Sequence, residues 1–122
     1  IDSIFKIKNF TTISPKNYDV IINGMEKVVK HPNGTAHNIS TEKLIICGKT
    51  GTAQNPHGED HSIFIAFAPK ERPKIAIAVY VENAGFGSTW AAPIAGLMLE
   101  KYTNTENNKT LEEFILKGKI TE

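Results

Sequence analysis

Three strand-like runs set close together limit most what this chain can fold into: Lys43 to Gln54, Ser62 to Ala68 and Lys74 to Asn83. In the third, Ile75, Ile77, Val79 and Val81 alternate with other residues and so share one face of an extended chain. The connections, Asn55-Pro56-His57-Gly58-Glu59-Asp60 and Pro69-Lys70-Glu71-Arg72-Pro73, are rich in turn formers and too short to hold a crossover helix. Consecutive strands must then return antiparallel. Before them, Ser14-Pro15 reads as an N-cap followed by proline at the first helical position. Tyr18, Ile21, Ile22, Met25, Val28 and Val29 then recur at helical spacing. Lys27 and Lys30 complement the dipole of its last turn, and His31-Pro32-Asn33-Gly34 ends it. After the strands, a helix is expected from about Ser88, its cap, to Tyr102, with Pro93 removing one backbone hydrogen bond near its start. Trp90, Leu97, Met98 and Leu99 should fall on or near its buried face. Thr110-Leu111-Glu112-Glu113 reads as the capping box of a last helix ending near Gly118, and Ile1 to Thr12 as an edge strand. The whole is α+β: an antiparallel sheet with helices segregated from it, in one domain of 122 residues.

Charge excludes some partners. Fourteen Lys and Arg against thirteen Asp and Glu give a net charge of +1, with no basic stripe to attract nucleic acid or an anionic membrane. No apolar run reaches the roughly 18 residues needed to span a bilayer. Cys47 has no partner for an internal disulfide and stands in the apolar run Leu44-Ile45-Ile46-Cys47, where it reads as a buried, inert thiol.

The first strand changes character halfway along, from apolar residues to Gly48-Lys49-Thr50-Gly51-Thr52-Ala53. Two glycines weaken a strand, so their presence predicts that another backbone or a ligand approaches closely. A lysine beside two hydroxyls suits a carboxylate: Lys49 supplies charge, Thr50 and Thr52 supply donors, and Gly51 leaves room for a substrate backbone.

Lys49-Thr50-Gly51 is also one of the signatures of penicillin-binding proteins and β-lactamases. The wider context matches. Ile46 to Gln54, then His61 to Pro69, then Lys74 to Asn83, and finally Ala91-Ala92-Pro93-Ile94-Ala95 together resemble the end of a class B penicillin-binding protein of the elongation-type group, penicillin-binding protein 2. Gly24 to Val29 and Gly34-Thr35-Ala36 resemble the segment that precedes this strand in that group. Ile63 stands where the family commonly has tryptophan, and Ala66 where it commonly has glycine. The resemblance implies a partial β-lactamase/transpeptidase-like fold and a D,D-transpeptidase that cross-links peptidoglycan through a serine acyl-enzyme. Its ligands would be D-alanyl-D-alanine stem peptides and β-lactams. In such an enzyme Lys49 would polarise the site, Thr50 and Thr52 would hold the substrate carboxylate, and the Thr52 N–H would serve the oxyanion hole. No metal or organic cofactor is implied. The parent would work on the periplasmic face of the cytoplasmic membrane, held by an anchor.

The family also needs a Ser-x-x-Lys nucleophile and a Ser-x-Asn motif upstream. Ser3-Ile4-Phe5-Lys6 fits the first only formally, because the nucleophile must open a buried helix and this segment reads as extended. With neither motif in a credible place, the resemblance implies a C-terminal fragment over residues 1–122, inactive alone, and the chain also begins without Met, as an excised fragment would. A non-catalytic module that self-associates through uncovered apolar surface is the alternative. A phosphate-binding P-loop would need glycine at position 43, which is Lys43, and a helix after the lysine. His57-Gly58-Glu59-Asp60-His61 lacks the helix of the zinc-protease patterns, so His61 should simply open its strand. Gly85-Phe86-Gly87 reads either as a plain turn or as a border of the substrate cleft.

Overall fold

The computed structural model describes residues 6–7, 10–105 and 108–118. The elements run α1 (Pro15–Lys30), a 3-10 turn (His37–Ile39), β1 (Cys47–Ala53), β2 (His61–Ala68), β3 (Ile75–Val81), α2 (Ala91–Tyr102) and α3 (Lys109–Lys117). The three strands form one antiparallel sheet in the order β1-β2-β3, as the short connections require. Most of the edge strand expected over Ile1 to Thr12 lies outside the described residues, and Phe10, Thr11 and Thr12 pair with no strand.

The alternation of β2 builds the core. Ser62, Phe64, Ala66 and Ala68 are buried on one face, where α2 packs across β2 and β3. Ala91, Ala92, Ala95 and Leu99 give α2 a fully buried, mostly small-residue face, so the helix comes close enough for Gly96 to rest on Ile39. Phe64, Ile46, Ile39 and Leu99 fill the centre, and α1 closes the β1 side through Val29. Among the described residues no helix is long and apolar enough to cross a membrane.

Several boundaries differ from expectation for physical reasons. β1 begins at Cys47 and not at Lys43, because Leu44 and Ile46 plug into the core ahead of the ladder while the Ile45 carbonyl accepts from the Lys70 N–H at 3.0 Å. α2 begins at Ala91 and Ser88 is not its cap. Pro93 is its third residue, among the first four N–H groups that have no intrahelical acceptor, and therefore removes no hydrogen bond. The helix entry is satisfied from outside: the Ala91 N–H donates to Ser62 Oγ at 3.1 Å and the Ala92 N–H to Gly87 O at 2.9 Å.

α3 is capped two residues earlier than the capping box suggested. Asn108 Oδ1 accepts the Leu111 N–H at 3.1 Å, and Glu113 instead pairs with Lys117 at 3.0 Å. The buried Glu100 accepts the Asn108 N–H at 2.9 Å, which ties the end of α2 to α3. Met98 also departs from the core expected for it. It lies on the flank of the buried stripe beside exposed Tyr102, whereas Leu99 is buried and Trp90 packs on Phe114 with ring centroids 5.6 Å apart. Only the C-terminal end of α1's apolar stripe is covered: Val29 is buried, but Tyr18 and Ile21 are exposed. Ser14 takes the capping position of α1 without a side-chain hydrogen bond.

Candidate functional site: an edge strand of lysine, threonine and glycine

β1 lies at the edge of the sheet, so along one side it meets no other strand among the described residues. Lys49, Thr50, Gly51 and Thr52 occupy its middle, opposite Ile65, Phe64, Ile63 and Ser62. Strand alternation sends Thr50 and Thr52 to the face shared with Phe64 and Ser62, and Lys49 to the other. The length of the lysine side chain brings its ammonium back to the strand, where Nζ donates to the Thr50 carbonyl at 2.6 Å. Lys49 and Thr52 are exposed, and Thr50 is half-buried. The Thr50 hydroxyl meets that of Thr35, Oγ1 to Oγ1 2.9 Å, in the loop that follows α1.

Both strand glycines are explained by close approach. A Cβ on Gly48 would stand 2.3 Å from the Phe64 ring. Over Gly51 it is a backbone that comes near: Gly87 packs so closely that its own Cβ would lie 2.5 Å from Gly51 O and 2.2 Å from Ile63 O. The Gly85-Phe86-Gly87 turn therefore sits directly against the candidate site, with the Phe86 side chain exposed. Two devices hold it there. Ser62, fully buried, donates to Phe86 O at 2.9 Å while accepting from Ala91. The Asp60 carbonyl accepts the N–H groups of Ala84 and Gly85 at 2.9 and 2.7 Å. Asn83, at φ 51, starts this turn and joins it to the β1–β2 connection through Asn55 Nδ2 at 2.7 Å.

His61 opens β2, as expected, and its Nδ1 accepts the Asn83 N–H at 3.1 Å. Cys47 is fully buried, and burial pushes its thiol above the ordinary value, away from thiolate reactivity. Behind the strand, Lys70 Nζ reaches from the β2–β3 connection to Glu26 of α1 at 2.5 Å and to Asn23 at 2.8 Å. This hydrogen bond lowers the Glu26 carboxyl below its usual value and raises the Lys70 ammonium above its own.

The motif led to the strand residues but not to Thr35 or Ser62 as neighbours of the site, and the sequence left Gly85-Phe86-Gly87 open between a plain turn and a border of the cleft. A serine on the inward face of an apolar strand was a usable signal for Ser62. That Thr35 and Gly87 converge on the strand depends on how two loops return to it, which no local pattern carries.

An antiparallel sheet flanked by helices, with Lys-Thr-Gly on its edge, defines a class, and residues 5–100 match the penicillin binding protein transpeptidase domain, the family to which this chain belongs. Within it the chain is of the class B, penicillin-binding protein 2 type. It is 37% identical over 97 residues to the peptidoglycan D,D-transpeptidase MrdA of Haemophilus influenzae, a match covering 66% of this chain and 15% of that protein. Its fold is similar to Pseudomonas aeruginosa PBP2, solved in complex with WCK 5153, with a TM-score of 0.70 and 40% identity over 78% of this chain and 21% of the other. It is also similar to penicillin-binding protein A of Mycobacterium tuberculosis, solved as a ceftriaxone acyl-enzyme, with a TM-score of 0.58 and 28% identity over 86% of this chain and 22% of that one. The chain thus spans less than a quarter of the length of each of these relatives.

Proposed function

We propose that this chain is the C-terminal part of a peptidoglycan D,D-transpeptidase and supplies one wall of its cleft, the Lys49 to Thr52 edge. The observation that carries the reading is the placement of Lys49-Thr50-Gly51-Thr52 on the edge strand of the sheet, with no further strand beside it among the described residues, in a chain of this family. An extended stem peptide ending in D-alanyl-D-alanine would add to that edge as a strand, its backbone paired with β1. The Lys49 ammonium would leave its own strand's carbonyl for the ligand's carboxylate, and the hydroxyls of Thr50 and Thr52 would donate to the same group. The Thr52 N–H would stabilise the oxyanion together with the N–H of the nucleophile. A single such donor is worth about 3 kcal/mol in other serine enzymes. β-Lactams would enter the same site and acylate the same serine.

That serine, with the Ser-x-Asn motif, is assigned to the part of the longer protein preceding Ile1. The 122-residue chain alone would then be inactive. The longer protein would work on the periplasmic face of the cytoplasmic membrane, anchored outside this segment. A second reading has its own observation: Val20, Ile21, Tyr80, Met98, Tyr102 and Phe114 are exposed large apolar side chains, so the isolated chain would self-associate. The site reading is tested by Lys49→Ala in the longer protein. Acylation by penicillin should fall while the melting temperature holds. Unchanged acylation with a large fall in melting temperature would make Lys49 a structural residue.

A further inference from the structure

The loop after α1 is locked on both sides of one exposed hydroxyl. The Gly34 N–H donates to His31 O at 2.7 Å and the Ala36 N–H returns to Val28 O at 2.9 Å. A Cβ on Gly34 would stand 2.3 Å from Val28 O, and Ala36 is fully buried. Thr35, between them, is therefore presented from a backbone with little freedom, and its Oγ1 lies 2.9 Å from Thr50 Oγ1.

Each of two hydroxyls in contact carries one proton, but only one proton can lie between their oxygens, so only one of the pair donates to the other. If Thr50 donated to Thr35, its proton would be unavailable to a ligand. A carboxylate at the strand edge accepts only, and so selects the opposite direction. We infer that Thr35 is a positioning residue: its hydroxyl donates to Thr50 Oγ1 and so aims the Thr50 proton at the carboxylate of the bound ligand. This rests on the reading of Lys49 to Thr52 as the carboxylate wall. A hydroxyl that accepts a hydrogen bond is also a stronger donor, so the pair binds the anion better than Thr50 alone.

The test compares Thr35→Val and Thr35→Ser in the longer protein, reading acylation rates with a penicillin bearing its free carboxylate and with its methyl ester. Valine keeps the shape and removes the donor. Acylation by the free acid should slow about tenfold, the scale of one hydrogen bond serving a charged group. The slower reaction of the ester should change little, the serine variant should restore the rate, and the melting temperature should hold in both. Wild-type rates in the valine variant, equal losses for acid and ester, or no rescue by serine would each overturn the role. A wild-type protein acylated as fast by the ester as by the free acid, or by neither, would overturn the carboxylate-wall reading itself, and with it the part given to Thr35.

Discussion

At the scale of single residues, what matters around β1 is which side chains are free to act and which are committed to structure. Lys49 is exposed and among the described residues hydrogen-bonds only to its own strand's Thr50 carbonyl, so its removal should leave the fold intact and reduce acylation, as melting and penicillin kinetics on Lys49→Ala would read. Lys70 is the contrasting lysine. It spans from the β2–β3 connection to Glu26 and Asn23 of α1 and so holds the helix to the back of the sheet. The pair has a pH signature. The Glu26 carboxyl is lowered by the Lys70 hydrogen bond, so its contribution is fully present above the unfolded value of 4.5 and is lost as pH falls through the lower folded value. The Lys70 ammonium is raised by the same bond, so its contribution is fully present below 10.5 and is lost as pH rises through the higher folded value. Glu26→Gln should therefore melt lower than wild type at neutral pH, with the gap closing as pH falls below 4.5. A gap that persisted undiminished in acid would remove the ion pair as its cause.

At the scale of elements, the turn from β3 into α2 is bound to the sheet by one buried hydroxyl and one missing side chain. Ser62 both donates to Phe86 O and accepts from the Ala91 N–H, so Ser62→Ala strands the buried Ala91 N–H, while the Phe86 carbonyl keeps the Thr89 N–H at 2.9 Å, and should cost about 1–3 kcal/mol in thermal or denaturant unfolding. Gly87→Ala should push the turn off Gly51 and Ile63, at about 1–3 kcal/mol. It should also slow acylation, since the turn abuts Lys49 to Thr52. A stable Gly87→Ala protein with normal acylation would show that the turn yields without disturbing the strand.

The elements themselves were largely legible in the sequence. The period of two in Ile75 to Val81, the short connections and the helical spacing of Tyr18 to Val29 report local backbone geometry, and the strands and helices follow them. Their ends were less so, because they are set from a distance. α2 starts where Ser62 meets it, β1 starts where Leu44 and Ile46 leave the ladder for the core, and α3 starts at Asn108 beside the buried Glu100. The candidate site divides the same way. Lys49 to Thr52 could be chosen by residue type on a strand, whereas Thr35 and Gly87 join it only through tertiary return.

At the scale of the whole molecule, the exposed apolar surface and the proposed placement of the nucleophile outside residues 1–122 belong together. Ile21 on α1, Tyr80 on β3 and Met98 on α2 are exposed, and the family relatives are several times longer than this chain. The isolated 122-residue chain should then elute in gel filtration above its monomer size, and a clean monomer at high concentration would contradict self-association. The central claim is that these residues form one wall of a cleft whose serine lies elsewhere in the protein. Its most direct test exposes the 122-residue chain and the longer protein side by side to a fluorescent penicillin, with resolution on a denaturing gel. The account predicts a covalent label on the longer protein and none on the chain alone. A label on the isolated chain would place the nucleophile within residues 1–122 and contradict it.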